Sequence, residues 1–467
     1  MVGAGRVQLF LQFIVETTLL FLFSTILALI LIYLLVPLFN QVSGKELIVN
    51  YSDPQIWKVI GITILATLII SSIYPAVLLS SFEPLKALKG KLSARISDAV
   101  FRKALVVLQF GFSMILICGT LVIGKQLSYI RSKQLGYDKD HVLAMGLIEM
   151  GKHFDAVKAE LMKQPGITNV TCATSNIINY DGHTGDNNWD GKEKGETLML
   201  CPIGIDKDFL SFFKMELKEG SGFTGSPGDS MHFILNETAI KAARIKDPIG
   251  KKFKLWQTEG TIVGVVKDFH FASMRHKIEP LIFYAKSPGY GRLYIKTTGN
   301  DAPKAIAAAE TQWKKYNAGF TFNYTFLDEA FNNLYKSEQR TGFLYQLFAA
   351  IAVFISCLGL LGLAAYTAQV RTREIGIRKV LGASVPGIIR LLTGDFIKLV
   401  MIAIVVATPV AWYVMNKWLQ DFAYKINIGW TVFAVAGFIA VLVALFAVSF
   451  QSIRAAIANP VKSLRTE

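Results

Sequence analysis

The sequence predicts an α-helical polytopic membrane protein, with about six transmembrane helices and a large α+β extracytoplasmic domain. Three observations carry that expectation. The 467-residue chain is 52% hydrophobic and only 18% charged, well outside ordinary soluble composition. Six apolar runs free of charged residues interrupt it. One long polar stretch, about residues 125–341, separates the third run from the fourth.

The runs are Thr17 to Phe39, Val59 to Ser80, Ala104 to Gly124, Phe343 to Ala368, Leu399 to Met415 and Trp430 to Phe450. A bilayer core takes about 20 helical residues. The fifth run is short, but Phe396, Ile397 and a snorkelling Lys398 extend it. The first run is longer than a secretory-signal core and has no small-residue cleavage site after it, so it reads as a retained helix.

Orientation follows from Lys and Arg in short loops. Lys86, Lys89, Lys91, Arg95, Arg102 and Lys103 lie between runs two and three, and Arg371, Arg373, Arg378, Lys379 and Arg390 between runs four and five. The two short loops on the other side hold only Lys45, Lys58, Lys417 and Lys425, and no arginine. The arginine-rich loops and both termini are therefore expected in the cytoplasm. The formal charge of +15 is thus a topology signal, and no nucleic-acid partner is expected.

The polar stretch alternates helix and strand signals. Asp155 to Lys163 has helical spacing and stops at Gln164-Pro-Gly166. Ile167–Cys172, Gly260–Val266, Leu281–Tyr284 and Arg292–Lys296 are rich in β-branched and aromatic residues and read as strands. Ala302 to Tyr316 is Ala-rich and helical. Helices Gln126 to Arg131 and Asp328 to Arg340 are expected at its edges, leading into the spans. Cys172 and Cys201 lie in this stretch and are free to pair if it faces an oxidising compartment. Cys118 and Cys357 lie in apolar runs and read as small buried hydrophobes. In the Asn176–Lys194 loop, Asp181, Asp186 and Asp190 do not match a Ca²⁺-loop spacing, so a solvated mobile loop is expected. His270 and His276 are six apart and do not form a ligand pair by spacing. No metal and no cofactor is expected.

The two ends of the chain resemble each other. Val2-Gly-Ala-Gly-Arg-Val-Gln-Leu-Phe10 aligns with Leu381-Gly-Ala-Ser-Val-Pro-Gly-Ile-Ile389, and Phe82-Glu-Pro-Leu-Lys-Ala-Leu88 with Ala458-Asn-Pro-Val-Lys-Ser-Leu464. Glu16 falls on Asp395. Internal duplication of this kind recurs in transporter folds. The first copy starts at the equivalent of Val380, so a truncated first copy of a two-module protein is expected.

The segment Arg371-Thr-Arg-Glu-Ile-Gly-Ile-Arg-Lys-Val-Leu-Gly-Ala383 is a short basic loop between apolar runs, with apolar residues at helical spacing. At a membrane surface it suits docking of a cytoplasmic partner. With the two following spans and the Pro-Val-Lys-Ser-Leu tail, it resembles the FtsX-like permease domain. The outer stretch is similar to the MacB-like periplasmic core domain through Leu217-Lys-Glu-Gly-Ser-Gly-Phe-Thr224, Asn236-Glu-Thr-Ala-Ile240 and Gly264-Val-Val-Lys-Asp-Phe-His270. The resemblance divides the chain into a partial FtsX-like module (1–90), a linker and span (91–127), a MacB-like core domain (128–341) and an FtsX-like permease domain (342–467).

That resemblance implies the membrane subunit of an ABC transporter in a bacterial inner membrane. ATP hydrolysis inside would move the outer domain for export or extraction of a substrate. Implied partners are a separate ABC ATPase subunit, a second module completing a dimer or pseudo-dimer, and a periplasmic adaptor. Residues Arg373, Glu374, Ile375, Gly376, Ile377, Arg378, Lys379, Leu381, Gly382 and Ala383 would contact the ATPase. Arg378 and Lys379 would offer charge, Ile375, Ile377 and Leu381 apolar contact, and Gly376 and Gly382 close backbone approach. The alternative for the arginines is topology retention alone.

No Walker A motif occurs in the sequence: Gly250-Lys-Lys and Gly191-Lys-Glu lack the Ser or Thr that Mg²⁺ binding needs. The chain is therefore expected not to be an enzyme. A non-transporting regulator of a cell-envelope hydrolase or sensor is the competing reading. An ion-coupled transporter is disfavoured by spans without Asp, Glu, Lys or Arg.

Overall fold

The computed structural model describes residues 6–48, 52–80, 96–180, 182–285 and 291–457. Two compact units emerge. One comprises Met1–Val122, Arg340–Val414 and Ile428–Glu467, the other Ile123–Gln339 and Met415–Asn427.

The first unit is helical. Among the described residues, five helices are long and apolar enough to cross a membrane, over Ile14–Gln41, Val100–Ser132, Lys336–Val370, Val385–Leu419 and Trp430–Ile453. The second expected span is helical over Pro54–Ser80, but its apolar stretch with described side chains, Pro54–Ile69, is shorter. Pro37 and Pro409 sit inside helices, where neighbouring spans tolerate them. Four helices share a core of Phe110, Leu360, Phe396 and Val400 together with a run of small residues, Ala403, Ala440, Ala444 and Ala447. Small side chains let helix backbones approach where lipid removes any hydrophobic drive to associate. Ser113 and Ser356, both buried, share a hydroxyl hydrogen bond of 3.0 Å in the same unit. The sequence bookends around Gly3-Ala4, Pro84 and Pro460 lie outside the described residues.

The second unit is built on one mixed sheet. Its strands are β1 (Val142–Gly146), β2 (Ile167–Ala173), β3 (Asn187–Trp189), β4 (Cys201–Ile205), β5 (Leu217–Gly220), β6 (His232–Asn236), β7 (Lys252–Leu255), β8 (Thr258–Val266), β9 (Leu281–Ala285), β10 (Arg292–Thr297) and β11 (Tyr324–Phe326). They run in the order β11-β1-β10-β2-β4-β9-β6-β8-β7-β3, with β5 paired to β8. The β4–β9 and β6–β8 pairs are parallel and the others antiparallel.

Side-chain alternation along each strand separates the cores. Leu143 and Met145 of β1, Val170 and Cys172 of β2, and Leu293 and Ile295 of β10 face a core with Val157, Leu161 and Trp313. These last come from the Phe154–Met162 and Ala302–Tyr316 helices. Val142, Ala144, Ala173 and Tyr294 face the other way, into an aromatic core with Phe209, Phe213, Phe269 and Phe283. A third core gathers Phe233, Leu235, Phe253, Ile262 and Ile282.

One open question closes and two expectations change here. Cys172 and Cys201 are both free and buried, and they belong to cores on opposite faces of the sheet, so they do not pair. Part of the Asn176–Lys194 segment is packed rather than solvated. Ile177 and Ile178 are buried, and Trp189 of β3 is 5% exposed with its indole N–H donating to the Ala243 carbonyl at 3.0 Å. The Asp328–Arg340 helix is broken at Tyr335, between helices Leu327–Leu334 and Lys336–Val370. The Tyr335 ring is 2% exposed and its hydroxyl accepts the Met274 N–H at 2.8 Å. The outer loop before the last span is packed as well. Phe422 enters the aromatic core, and the Gln126 amide clamps the loop, donating to the Tyr424 carbonyl (2.8 Å) and accepting from Ile426 N–H (3.0 Å).

Candidate functional site

The segment singled out by the sequence folds as the helix Thr372–Val380, joined to Lys336–Val370 by a turn at Arg371. Its start is held by the Thr372 hydroxyl, which donates to the Ala368 carbonyl at 2.9 Å. The Arg371 guanidinium donates to Asp395 Oδ2 at 3.2 Å. Ile375 is 7% exposed and packs on Ile388 and Leu392. Ile388, Leu392 and Asp395 recur every three or four residues, so they form one stripe of the Val385–Leu419 helix. One side of the short helix is therefore gripped by the helix that follows it.

The helix end is a Schellman motif. Ala383 N–H donates to the Arg378 carbonyl at 2.9 Å and Gly382 N–H to the Lys379 carbonyl at 3.1 Å. Gly382 has φ +90, the left-handed conformation that this cap places at the residue after the C-cap. A Cβ at Gly382 would meet nothing within 4 Å. Glycine at this position suits the left-handed backbone of the cap. Gly376 is buried inside the helix.

The other expected residues take up different positions. Arg373 lies in the first turn. Glu374 pairs with Arg378 one turn on, at 2.8 Å, and Lys379 is half-buried. Ile377 is 50%, Val380 66% and Leu381 79% exposed, and Ala383 is exposed. The result is a face of apolar side chains edged by the Arg378 charge, on a helix whose opposite side is anchored.

Residues 346–460 match the family model of the FtsX-like permease C-terminal domain. The chain carries an FtsX-like permease domain. The macrolide export ATP-binding/permease protein MacB of Chromobacterium violaceum is 26% identical over 198 residues, 39% of this chain. The match spans 30% of that relative's own length. Among solved structures, the periplasmic region of MacB from Actinobacillus actinomycetemcomitans is 16% identical, with a TM-score of 0.32 over 44% of this chain and 97% of that one. The extracellular domain of the noncanonic ABC-type transporter YknZ from Gram-positive bacteria is 12% identical, with a TM-score of 0.28 over 43% of this chain and 92% of that one.

The FtsX-like domain includes the gripped helix, its capping turn and Asp395. The sheet unit offers a cleft of about 600 Å³ lined by Phe154, Lys158, Asp206, Asp208 and Ser226. Two lysines line it, Lys158 and Lys207, and Lys158 is engaged: its Nζ lies 2.9 Å from Asp206 Oδ2 and 2.6 Å from Asp208 Oδ2. Asp186 and Asp190 are exposed, and Asp181 lies outside the described residues. The group that does converge among the described residues is His183, Cys201 and Glu279. Spacing in sequence gives no sign of it, because its members come from three separate segments. His270 is buried with its ring edge against Tyr424.

Proposed function

We propose that the chain is the permease subunit of an ABC transporter, coupling ATP hydrolysis by a separate cytoplasmic ATPase to movement of the sheet unit on the far side of the membrane. The movement serves export or extraction of a substrate. The observation that carries this reading is the two-sided Thr372–Val380 helix. Ile377, Val380, Leu381 and Arg378 offer a partner an apolar surface with a charged edge, a composition that suits protein docking. Ile375 and Arg371 hold the opposite side to the Val385–Leu419 helix. A displacement imposed by the partner is thereby passed to a membrane-length helix instead of being absorbed in a loop. The subunit works as a dimer or pseudo-dimer of permease modules, in an inner membrane, with a periplasmic adaptor where export requires one.

The test is the doubly substituted permease Arg378→Glu, Lys379→Glu, purified and reconstituted with its ATPase. Loss of the permease-dependent increase in ATP hydrolysis, with the ATPase's own rate unchanged, is the expected result. An undiminished increase would overturn the docking role.

A further inference from the structure

Three unlike donors meet on the sheet unit: His183 Nε2, Cys201 Sγ and a Glu279 carboxylate oxygen, all within 4.8 Å of one another. His183 Nε2 lies 2.6 Å from Glu279 Oε2, and Cys201 Sγ lies 3.6 Å from the same oxygen. The backbone puts them there. Thr184 and Leu200 form an antiparallel bridge with both N–H···O bonds at 2.9 Å. One step along, His183 falls opposite Cys201, in the closer-spaced kind of cross-strand pair. On the other side, Cys201 pairs in parallel register with Leu281, and its N–H donates to the Pro280 carbonyl at 2.9 Å.

Glu279 is held by a buried clamp. The Asn236 amide, fully buried, donates to the Glu279 carbonyl and accepts the Leu281 N–H, each at 2.9 Å. The same oxygen accepts the Ala239 N–H at 2.9 Å. Asn236 thus fixes the backbone on both sides of Pro280. Three segments distant in sequence converge through main-chain pairing, so the donor positions do not depend on flexible side chains finding each other.

We infer that His183, Cys201 and Glu279 form a zinc-type metal site. Zinc takes thiolate at about 2.3 Å, imidazole at about 2.0–2.1 Å and carboxylate at about 2.0–2.2 Å. Tetrahedral geometry at those lengths places neighbouring donors roughly 3.3–3.6 Å apart. The Cys201–Glu279 separation already fits. The His183–Glu279 contact opens by less than about 1 Å as the ion takes the place of the shared proton. Thiolate and imidazole together select zinc over the oxygen-seeking calcium and magnesium. A thiolate and a carboxylate balance the dication, and the thiol proton leaves to solvent on binding. With three protein donors the fourth position falls to water or to a group on a partner. Cys201 is fully buried while His183 and Glu279 are partly exposed, so the ion enters from the imidazole and carboxylate side.

The experiment uses the full chain purified in detergent and stripped of metal. Zinc is titrated in, and cobalt(II) serves as the spectroscopic probe. Stoichiometric zinc binding, and a thiolate-to-cobalt charge-transfer band that disappears in Cys201→Ser, are expected. His183→Ala and Glu279→Gln should each weaken zinc binding at least tenfold. His183→Ala changes a partly exposed side chain, so it reports even if the buried Cys201 substitution disturbs folding. No zinc uptake by the parent, a cobalt band persisting without Cys201, or unchanged affinity in His183→Ala would each overturn the site.

Discussion

Arg371 and Asp395 join the start of the basic segment to the helix that follows it: the guanidinium of the turn residue donates to the Asp395 carboxylate at 3.2 Å. Both side chains are partly exposed, 36% and 46%, so the pair adds little to global stability, on the order of 1 kcal/mol or less. Its consequence is geometric, because it fixes the angle at which the Thr372–Val380 helix leaves the turn.

Asp395→Asn keeps the size of the side chain and removes the charge. The expected outcome is a thermal midpoint close to the parent's and a severalfold drop in permease-dependent ATP hydrolysis. Equal stimulation in parent and variant would show that the pair does not orient the helix. The reciprocal exchange Arg371→Asp with Asp395→Arg should restore part of the loss.

Gly382→Ala tests the capping turn. An L side chain in the left-handed region costs about 1 kcal/mol relative to glycine, and there is open space around the position, so no steric clash adds to that. Amide hydrogen exchange at Gly382 and Ala383, the two donors of the motif, should speed up severalfold. Gly382→Asn, which tolerates this conformation better, should fall between. Identical exchange in all three proteins would remove the conformational reason for the glycine.

Periodicity and composition made the long elements legible. The Ala302–Tyr316 helix and strands β2, β8, β9 and β10 formed close to where β-branched runs and helical spacing put them. Hydropathy located five helices long enough to cross a membrane among the described residues, since a bilayer demands a long apolar run from each crossing. What escaped were features made by partners far apart in the chain. The role of Phe422 was one, because the aromatic core it enters is drawn from distant segments of the chain. The His183, Cys201 and Glu279 group depends on a register between strands that no local pattern encodes. In the basic segment, sequence marked which residues are apolar but not that Ile375 turns inward while Ile377 and Leu381 stay exposed.

Phe422→Ala tests whether the outer loop is structural. The ring is 2% exposed, lies 5.0 Å from the Trp418 ring, and is covered by the Arg275 guanidinium at 5.2 Å. Neighbouring main chain is fastened as well, with Ala423 N–H donating to the Arg275 carbonyl at 3.1 Å. Removing the ring should cost about 3 kcal/mol or more, lowering the midpoint for unfolding of the sheet unit, read by loss of protease resistance on heating. A midpoint equal to the parent's would mean that the loop contributes no core.

The sheet unit should weaken in mild acid through His270. Burial, reinforced by the charge of Lys133 and opposed by that of Asp268, lowers its pKa from 6.5 to about 4. Its ring, 8% exposed, stands edge-on to Tyr424 at 4.6 Å. Because the folded state holds the imidazole neutral, the unfolded chain binds the proton more readily between the two values. Stability is therefore full above about pH 6.5 and falls as pH drops from there towards 4, by up to roughly 3 kcal/mol. Thermal midpoints of the full chain measured across that interval should decline in the parent and decline less in His270→Gln. Parallel curves for the two proteins would assign the acid sensitivity to other groups; Asp206 is not among them, because burial raises its carboxyl pKa and its protonation in the folded state favours the opposite slope.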